Sequence, residues 1–273
     1  MHIVTRISSF LLLLGLLACT PLSTTKVENE RTQQLELPSY KHADSIITHV
    51  GYHLRYHETH EQAQWVAYEL TASEADGPAG RTNDFREDPS ISTGSATLSD
   101  YRYSGYDRGH LIPAGDGRWS QAAMSATFLL SNMSPQDPSF NRGDWRTLES
   151  KVREWAKENR AVYVVTGPAL QQGIKDTIGA NQVSVPRYYY KVVLDNTPPE
   201  TKAIGFLLPN EKLPCPLSRY AVSIDSLESL TGIDFYPLLP NDQEQKLESH
   251  VELRRWGFNT ASGQSTPCDV SFK

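Results

Sequence analysis

Between Gly105 and Asn159 the chain has few ways to fold. Tyr106-Asp-Arg-Gly-His110 reads as a strand that stops on a glycine and hands over a histidine. The apolar run Thr127–Leu130 predicts a second strand returning to the same place. Asn141–Asn159 predicts a helix, because Trp145, Leu148, Val152 and Trp155 recur at helical spacing and give it one buried face. Strand, strand and helix bring a histidine, arginines, carboxamides and carboxylates together within a short length of chain, a frame suited to one base and one metal ion.

The remaining segments read as support for that frame. Ile46–Tyr56 and Gln64–Leu70 predict strands rich in aromatic and β-branched residues, with His57–Gln62 as the turn between them. His53, His57 and His60 read as residues of a hairpin and its tip rather than as metal ligands. Glu74–Ser99 is rich in Gly, Pro, Ser and Asp and predicts a long surface loop that carries Arg81 and Arg86; loops of that length are often functional. Arg160–Thr166, Tyr188–Leu194 and Ala203–Leu208 predict further strands. Ile224–Thr231 predicts a short helix stopped by Gly232, and Asn241–Ser249 another after Pro240. With no internal repeat, the expectation is one α+β domain over residues 41–273, with a mostly antiparallel central sheet and flanking helices.

The N-terminal region reads differently. Arg6 followed by the apolar Phe10–Leu17 and the small Ala18 predicts an export signal over residues 1–18, too short to span a bilayer comfortably. Leu16-Leu17-Ala18-Cys19 resembles the bacterial lipobox, which implies cleavage before Cys19 and lipidation of its thiol. The implied product is an exported bacterial lipoprotein, held to a membrane through Cys19 and facing the periplasm or the cell surface; the alternative is a plain secretory peptide with a chance Cys. Residues 19–40 are polar and predict a flexible tether. With Cys19 taken by lipid, Cys215 and Cys268 remain as one pair in an exported chain and predict a disulfide.

A net charge of −6 argues against a chain held to a polyanion by overall charge alone. The charge is uneven, however. Residues 81–153 hold nine basic and nine acidic side chains, and eight of the nine basic ones are arginine. Arginine is preferred where a planar fork must grip phosphate oxygens. Hydrolysis of a phosphodiester needs an activated water, relief of charge on the phosphorane and a stabilised leaving oxygen. His110 offers a neutral imidazole near pH 7 to 8, so turnover is expected to rise as pH passes about 6.5. Asn141 is a hard oxygen donor of the kind Mg²⁺ or Mn²⁺ accepts, or else a helix cap. Glu149 lies about two turns further on, within reach of the waters of such an ion. Glu149 and Arg153 also fit an ordinary helix-surface pair. Arg108 and Arg153 are placed to offset charge on a phosphate.

Three blocks, Tyr106-Asp-Arg-Gly-His-Leu-Ile-Pro-Ala114, Leu130-Ser-Asn-Met-Ser-Pro-Gln136 and Asn141-x-Gly-x-Trp-x-x-Leu-Glu149, closely resemble the DNA/RNA non-specific endonucleases with a ββα-metal site. The likeness continues through Val164–Pro168 and Ser223–Gly232, covering roughly residues 45–270. The resemblance implies His110 as general base, Asn141 as direct metal ligand and Glu149 as a binder of the metal's water. It implies Arg108 for the transition state, Asn132 as support and Arg153 on phosphate. The family's upstream arginine falls on Arg81 or Arg86. DNA and RNA are the implied substrates, with Mg²⁺ as cofactor and Mn²⁺ as an alternative. Two other functions fit the same residues: a surface protein that captures nucleic acid without cutting it, and a phosphodiesterase acting on small nucleotides.

Overall fold

The computed structural model describes residues 2, 34–39 and 46–259. The expected signal segment, Cys19 and Cys268 lie outside these residues. Within them the strands are β1 (Ile47–His49), β2 (Tyr52–His57) and β3 (Gln62–Thr71), then β4 (Asp107–His110) and β5 (Met133–Gln136). They continue with β6 (Ala161–Pro168), β7 (Ile174–Ile178), β8 (Val183–Pro186), β9 (Tyr188–Asp195), β10 (Lys202–Pro209) and β11 (Ala221–Val222). The helices are α1 (Ala72–Ala75), α2 (Leu98–Tyr101), α3 (Gln121–Ala126), α4 (Pro138–Phe140), α5 (Arg146–Asn159), α6 (Ile224–Thr231) and α7 (Asn241–Glu248).

Seven strands form one sheet in the order β1-β2-β3-β6-β9-β10-β11, every pairing antiparallel. Its central strands are apolar on both faces, and the pleat sends alternate side chains to opposite sides. From β3 and β9, Val66, Tyr68, Leu70, Tyr189 and Val193 enter one core layer with Trp145, Leu148, Val152 and Trp155 of the α5 region. Trp65, Ala67, Tyr190, Val192 and Leu194 enter the other, against Ile224 and Leu227 of α6 and Leu247 of α7. A sheet covered on both faces by helices is the α+β architecture the sequence predicts.

The boundaries depart from the sequence reading in informative places. Ile46–Tyr56 is two strands, because the chain reverses at Val50-Gly51, where Gly51 has φ +91°. The second strand of the central motif is Met133–Gln136 rather than Thr127–Leu130. Thr127–Leu130 follows α3, itself started by the Ser120 cap, and is buried on all sides. Apolarity alone cannot distinguish such a segment from a strand. The hairpin of β7 and β8 also went unpredicted. Finally, the folded body includes residues 34–39, within the expected tether. Leu35 is buried in the α6–α7 core layer, and Ser39 exchanges backbone hydrogen bonds with Asp234.

Candidate active site

Strands β4 and β5 pair with His110 opposite Met133, Gly109 opposite Ser134 and Asp107 opposite Gln136. Gly109 lies against the Gln136 side chain, which a Cβ at that position would displace. The pair is fixed to the start of the long helix at both ends of β4. Trp145 Nε1 donates to the His110 carbonyl at 3.1 Å, and Asn141 Nδ2 donates to Asp107 Oδ2 at 2.8 Å. Arg142 adds a two-pronged contact to the same Asp107 carboxylate at 2.8 and 2.6 Å. Burial opposes ionisation of Asp107, but the Arg142 and Asn141 hydrogen bonds prevail and hold its carboxyl below the usual range. Residues Asn141–Trp145 form a wide π-type turn between α4 and α5, a feature that recurs at functional sites.

His110 is 8% exposed, and its Nε2 has no hydrogen-bond partner among the described residues. Phe85 and Phe128 present to the imidazole edge-to-face, with centroids 5.8 and 5.1 Å away. Arg108 lies over Phe85 at 4.2 Å, and Arg81 lies over Phe128 at 4.8 Å. Burial first, then the charges of Arg81 and Arg108, push the imidazole pKa down to about 3. The ring is therefore neutral throughout the physiological range, with an unused nitrogen beside two guanidinium groups. The sequence reading had the ordinary histidine value.

Across the site, Glu149 and Arg153 project from α5. Arg153 Nη1 binds the buried Asp116 at 2.8 Å, and Tyr68 donates to the other oxygen of Asp116 at 2.9 Å. Gly115 lets this guanidinium through, since a Cβ there would sit 2.8 Å from Nη1. Beneath them lies Lys191, wholly buried, donating to Thr166 Oγ1 at 3.0 Å and placed 4.5 Å from the Trp145 ring. Burial lowers the Lys191 ammonium to about 8, against the pull of Glu149 and Asp116. Burial raises the Glu149 carboxyl to about 7; Lys191 opposes the rise and Asp116 adds to it. The Arg81 charge acts on both His110 and Glu149, so the hairpin side and the helix side share one electrostatic field.

The structure separates the two upstream arginines. Arg81, whose Nε donates to Asn83 Oδ1 at 2.7 Å, lies over Phe128 on the His110 side, whereas the Arg86 guanidinium is engaged by Asp84 at 2.9 Å and by the Ser125 carbonyl at 3.0 Å. Its backbone also bridges to the Phe128–Leu130 segment. Asn132 is fully buried, and its amide is spent on backbone: Oδ1 accepts from Ile112 N at 3.0 Å, while Nδ2 donates to the carbonyls of Ile112 and Thr127 at 2.9 and 2.8 Å. It therefore holds the segment after His110 in place. Sequence reasoning missed Lys191, Asp116 and the linking role of Asp107. The available signal for Lys191 was one cation at the centre of the apolar run Tyr188–Leu194.

The donor set suits a hard cation. Asn141 Oδ1 accepts no hydrogen bond among the described residues, and the Glu149 carboxylate there has neither a hydrogen bond nor an ion pair. Two oxygen donors without protein partners, beside a neutral imidazole and several arginines, fit a largely hydrated Mg²⁺ or Mn²⁺.

A strand–strand–helix frame carrying a neutral imidazole, a carboxamide, a carboxylate and several arginines has the groups that phosphodiester cleavage requires. Comparison with known proteins places the chain in one family of enzymes that carry out this cleavage. The sequence profile of the DNA/RNA non-specific endonucleases matches residues 31–242. The chain is 38% identical over 201 residues to mitochondrial endonuclease G of Homo sapiens, covering 68% of this chain and 68% of that protein. It is 35% identical over 215 residues to a nuclease of Nostoc, covering 74% and 76%. Against mitochondrial nuclease EXOG of Danio rerio it is 37% identical over 206 residues, 70% of this chain and 60% of the relative. A chain in the crystal structure of the EndoG/EndoGI complex superposes with a TM-score of 0.69 at 32% identity, over 75% of this chain and 91% of that one. The protein belongs to the DNA/RNA non-specific endonuclease family and is a nuclease.

Proposed function

We propose that this nuclease hydrolyses both DNA and RNA internally, with little sequence preference, using Mg²⁺ or Mn²⁺ and leaving 5′-phosphate and 3′-hydroxyl ends. The observation that carries this reading is the buried, unpartnered Nε2 of a neutral His110 held between Arg81 and Arg108. A neutral ring with an open nitrogen is in the protonation state that a general base requires at neutral pH. Arg81 and Arg108 meet the negative charge that builds on the phosphorane, and Arg153, braced by Asp116, grips a neighbouring phosphate. Asn141, by its amide oxygen, and Glu149, by way of the ion's waters, would hold the cation. When bound, that ion supplies Lewis acidity to the phosphate and to the leaving 3′ oxygen. Contacts made to phosphate carry no base information, which accounts for cleavage without sequence preference.

The cellular setting belongs to the same proposal. Residues 1–18 direct export, Cys19 receives lipid and anchors the protein to a membrane, and a tether joins it to the nuclease domain. A Cys215–Cys268 disulfide fastens the C-terminal tail to the body; Cys215 is buried in the α5-side core layer. The test is incubation of purified protein with plasmid and total RNA. Both are degraded with Mg²⁺, both survive in EDTA, and addition of Mg²⁺ in excess restores cleavage. Degradation that persists in EDTA, or sparing of both polymers while a small chromogenic phosphodiester is cleaved, would defeat the reading.

A further inference from the structure

On the face of the sheet opposite α5, α6 carries Asp225 and Glu228 one helical turn apart, and α7 ends in Glu248. One carboxylate oxygen from each lies within 4.8 Å of the other two. Glu248 distinguishes this group from an ordinary acidic surface. It is 6% exposed, and its Oε1 has no hydrogen-bond partner among the described residues. A carboxylate oxygen withdrawn from water without a donor is costly. No Lys or Arg among the described residues forms an ion pair with any of the three. Glu228 is held in place by the Phe235 backbone N–H, which donates to its Oε1 at 2.8 Å. Asp234 and Glu244 add further acidic groups around the cluster.

We propose that Asp225, Glu228 and Glu248 form a second cation site, separate from the cleavage centre, that binds Ca²⁺ and staples α6 to α7. The ligands are all carboxylate oxygens, without histidine or cysteine, which selects a hard cation over zinc or copper. They come from two helices at unequal depths, Asp225 exposed and Glu248 buried. Calcium accepts such irregular, partly bidentate sets, whereas Mg²⁺ demands a near-ideal octahedron and keeps most of its water. The bound ion would give Glu248 its missing partner and tie together the helices whose Leu227 and Leu247 cover the core layer.

The experiment is thermal unfolding of EDTA-stripped, full-length protein in detergent, titrated separately with CaCl₂ and MgCl₂. At 1 mM Ca²⁺ the wild-type Tm rises by about 5 °C, and Mg²⁺ at the same concentration does much less. Asn141→Ala, which disables the cleavage-site ligand, responds to Ca²⁺ as wild type does. The Glu228→Gln/Glu248→Gln double variant does not respond. Asp225→Asn, a change at an exposed position, weakens calorimetric Ca²⁺ affinity by about tenfold and leaves Mg²⁺-dependent cleavage intact. A wild-type Tm indifferent to Ca²⁺, as two carboxyls sharing a proton would give, overturns the proposal. An undiminished calcium response in the double variant, or unchanged affinity in Asp225→Asn, overturns it as well.

Discussion

Replacing His110 with Gln removes a titrating ring from a buried position and leaves a side chain that still forms hydrogen bonds. The imidazole is held at about 3 in the folded protein, against about 6.5 in an unfolded chain. The depressed value means that the unfolded chain takes up the proton first. Stability contributed by the neutral ring is therefore complete above about pH 7 and is lost as pH falls from 6.5 toward 3. Each pH unit within that window costs about 1.4 kcal/mol, and the loss accumulated between pH 8 and pH 5 is ~2 kcal/mol. Urea unfolding followed by tryptophan fluorescence at pH 8, 7, 6 and 5 measures it, with wild type and His110→Gln compared at each pH. Other histidines and the carboxylates titrate alike in both proteins and cancel in the difference. Wild type should lose ~2 kcal/mol more than the variant across this range. Parallel stability curves would refute a buried, neutral His110.

The same geometry fixes further outcomes. With the imidazole neutral well below pH 6, the acid limb of kcat/KM belongs to Glu149, held at about 7. Because Lys191 favours the ionised carboxylate, Lys191→Met should move that limb upward by about one pH unit; a profile superimposable on wild type would contradict the coupling. Arg81→Ala should lower kcat/KM about 100-fold. Arg86→Ala should change kcat/KM by less than about 3-fold but cost about 1 kcal/mol in denaturant unfolding, through its lost hydrogen bonds to Asp84 and Ser125. Asn132→Ala strands one N–H and two carbonyls of buried backbone and should destabilise the fold by roughly 2–4 kcal/mol in the same assay.

Much of this was legible in the sequence where periodicity or chemistry was local. The α5 face of Trp145, Leu148, Val152 and Trp155 is buried as its spacing demands, and α6 ends at Gly232 in the left-handed conformation. His110 and Asn141 are tied into one frame through Trp145 and Asp107. Strand β5 was misplaced because it contains Pro135 between Ser134 and Gln136, a composition that reads against a strand. Pro is tolerated there because, among the described residues, β5 pairs only with β4, so the missing N–H breaks no central ladder. What pattern cannot supply is the distribution of charge in three dimensions. The depressed His110, the raised Glu149 and the buried Lys191 arise from burial and from partners distant in the chain. Nor does pattern show that Arg86 is engaged by Asp84 and the Ser125 carbonyl while Arg81 lies over Phe128.

The most direct test of the central claim is single-turnover cleavage of a fluorescently labelled duplex by His110→Ala at saturating Mg²⁺, with duplex affinity measured in the same samples. Loss of the base should slow cleavage by at least about 100-fold while leaving affinity within about 3-fold of wild type. Cleavage at the wild-type rate, or a defect confined to binding, would show that the proton leaves water by some route other than this imidazole.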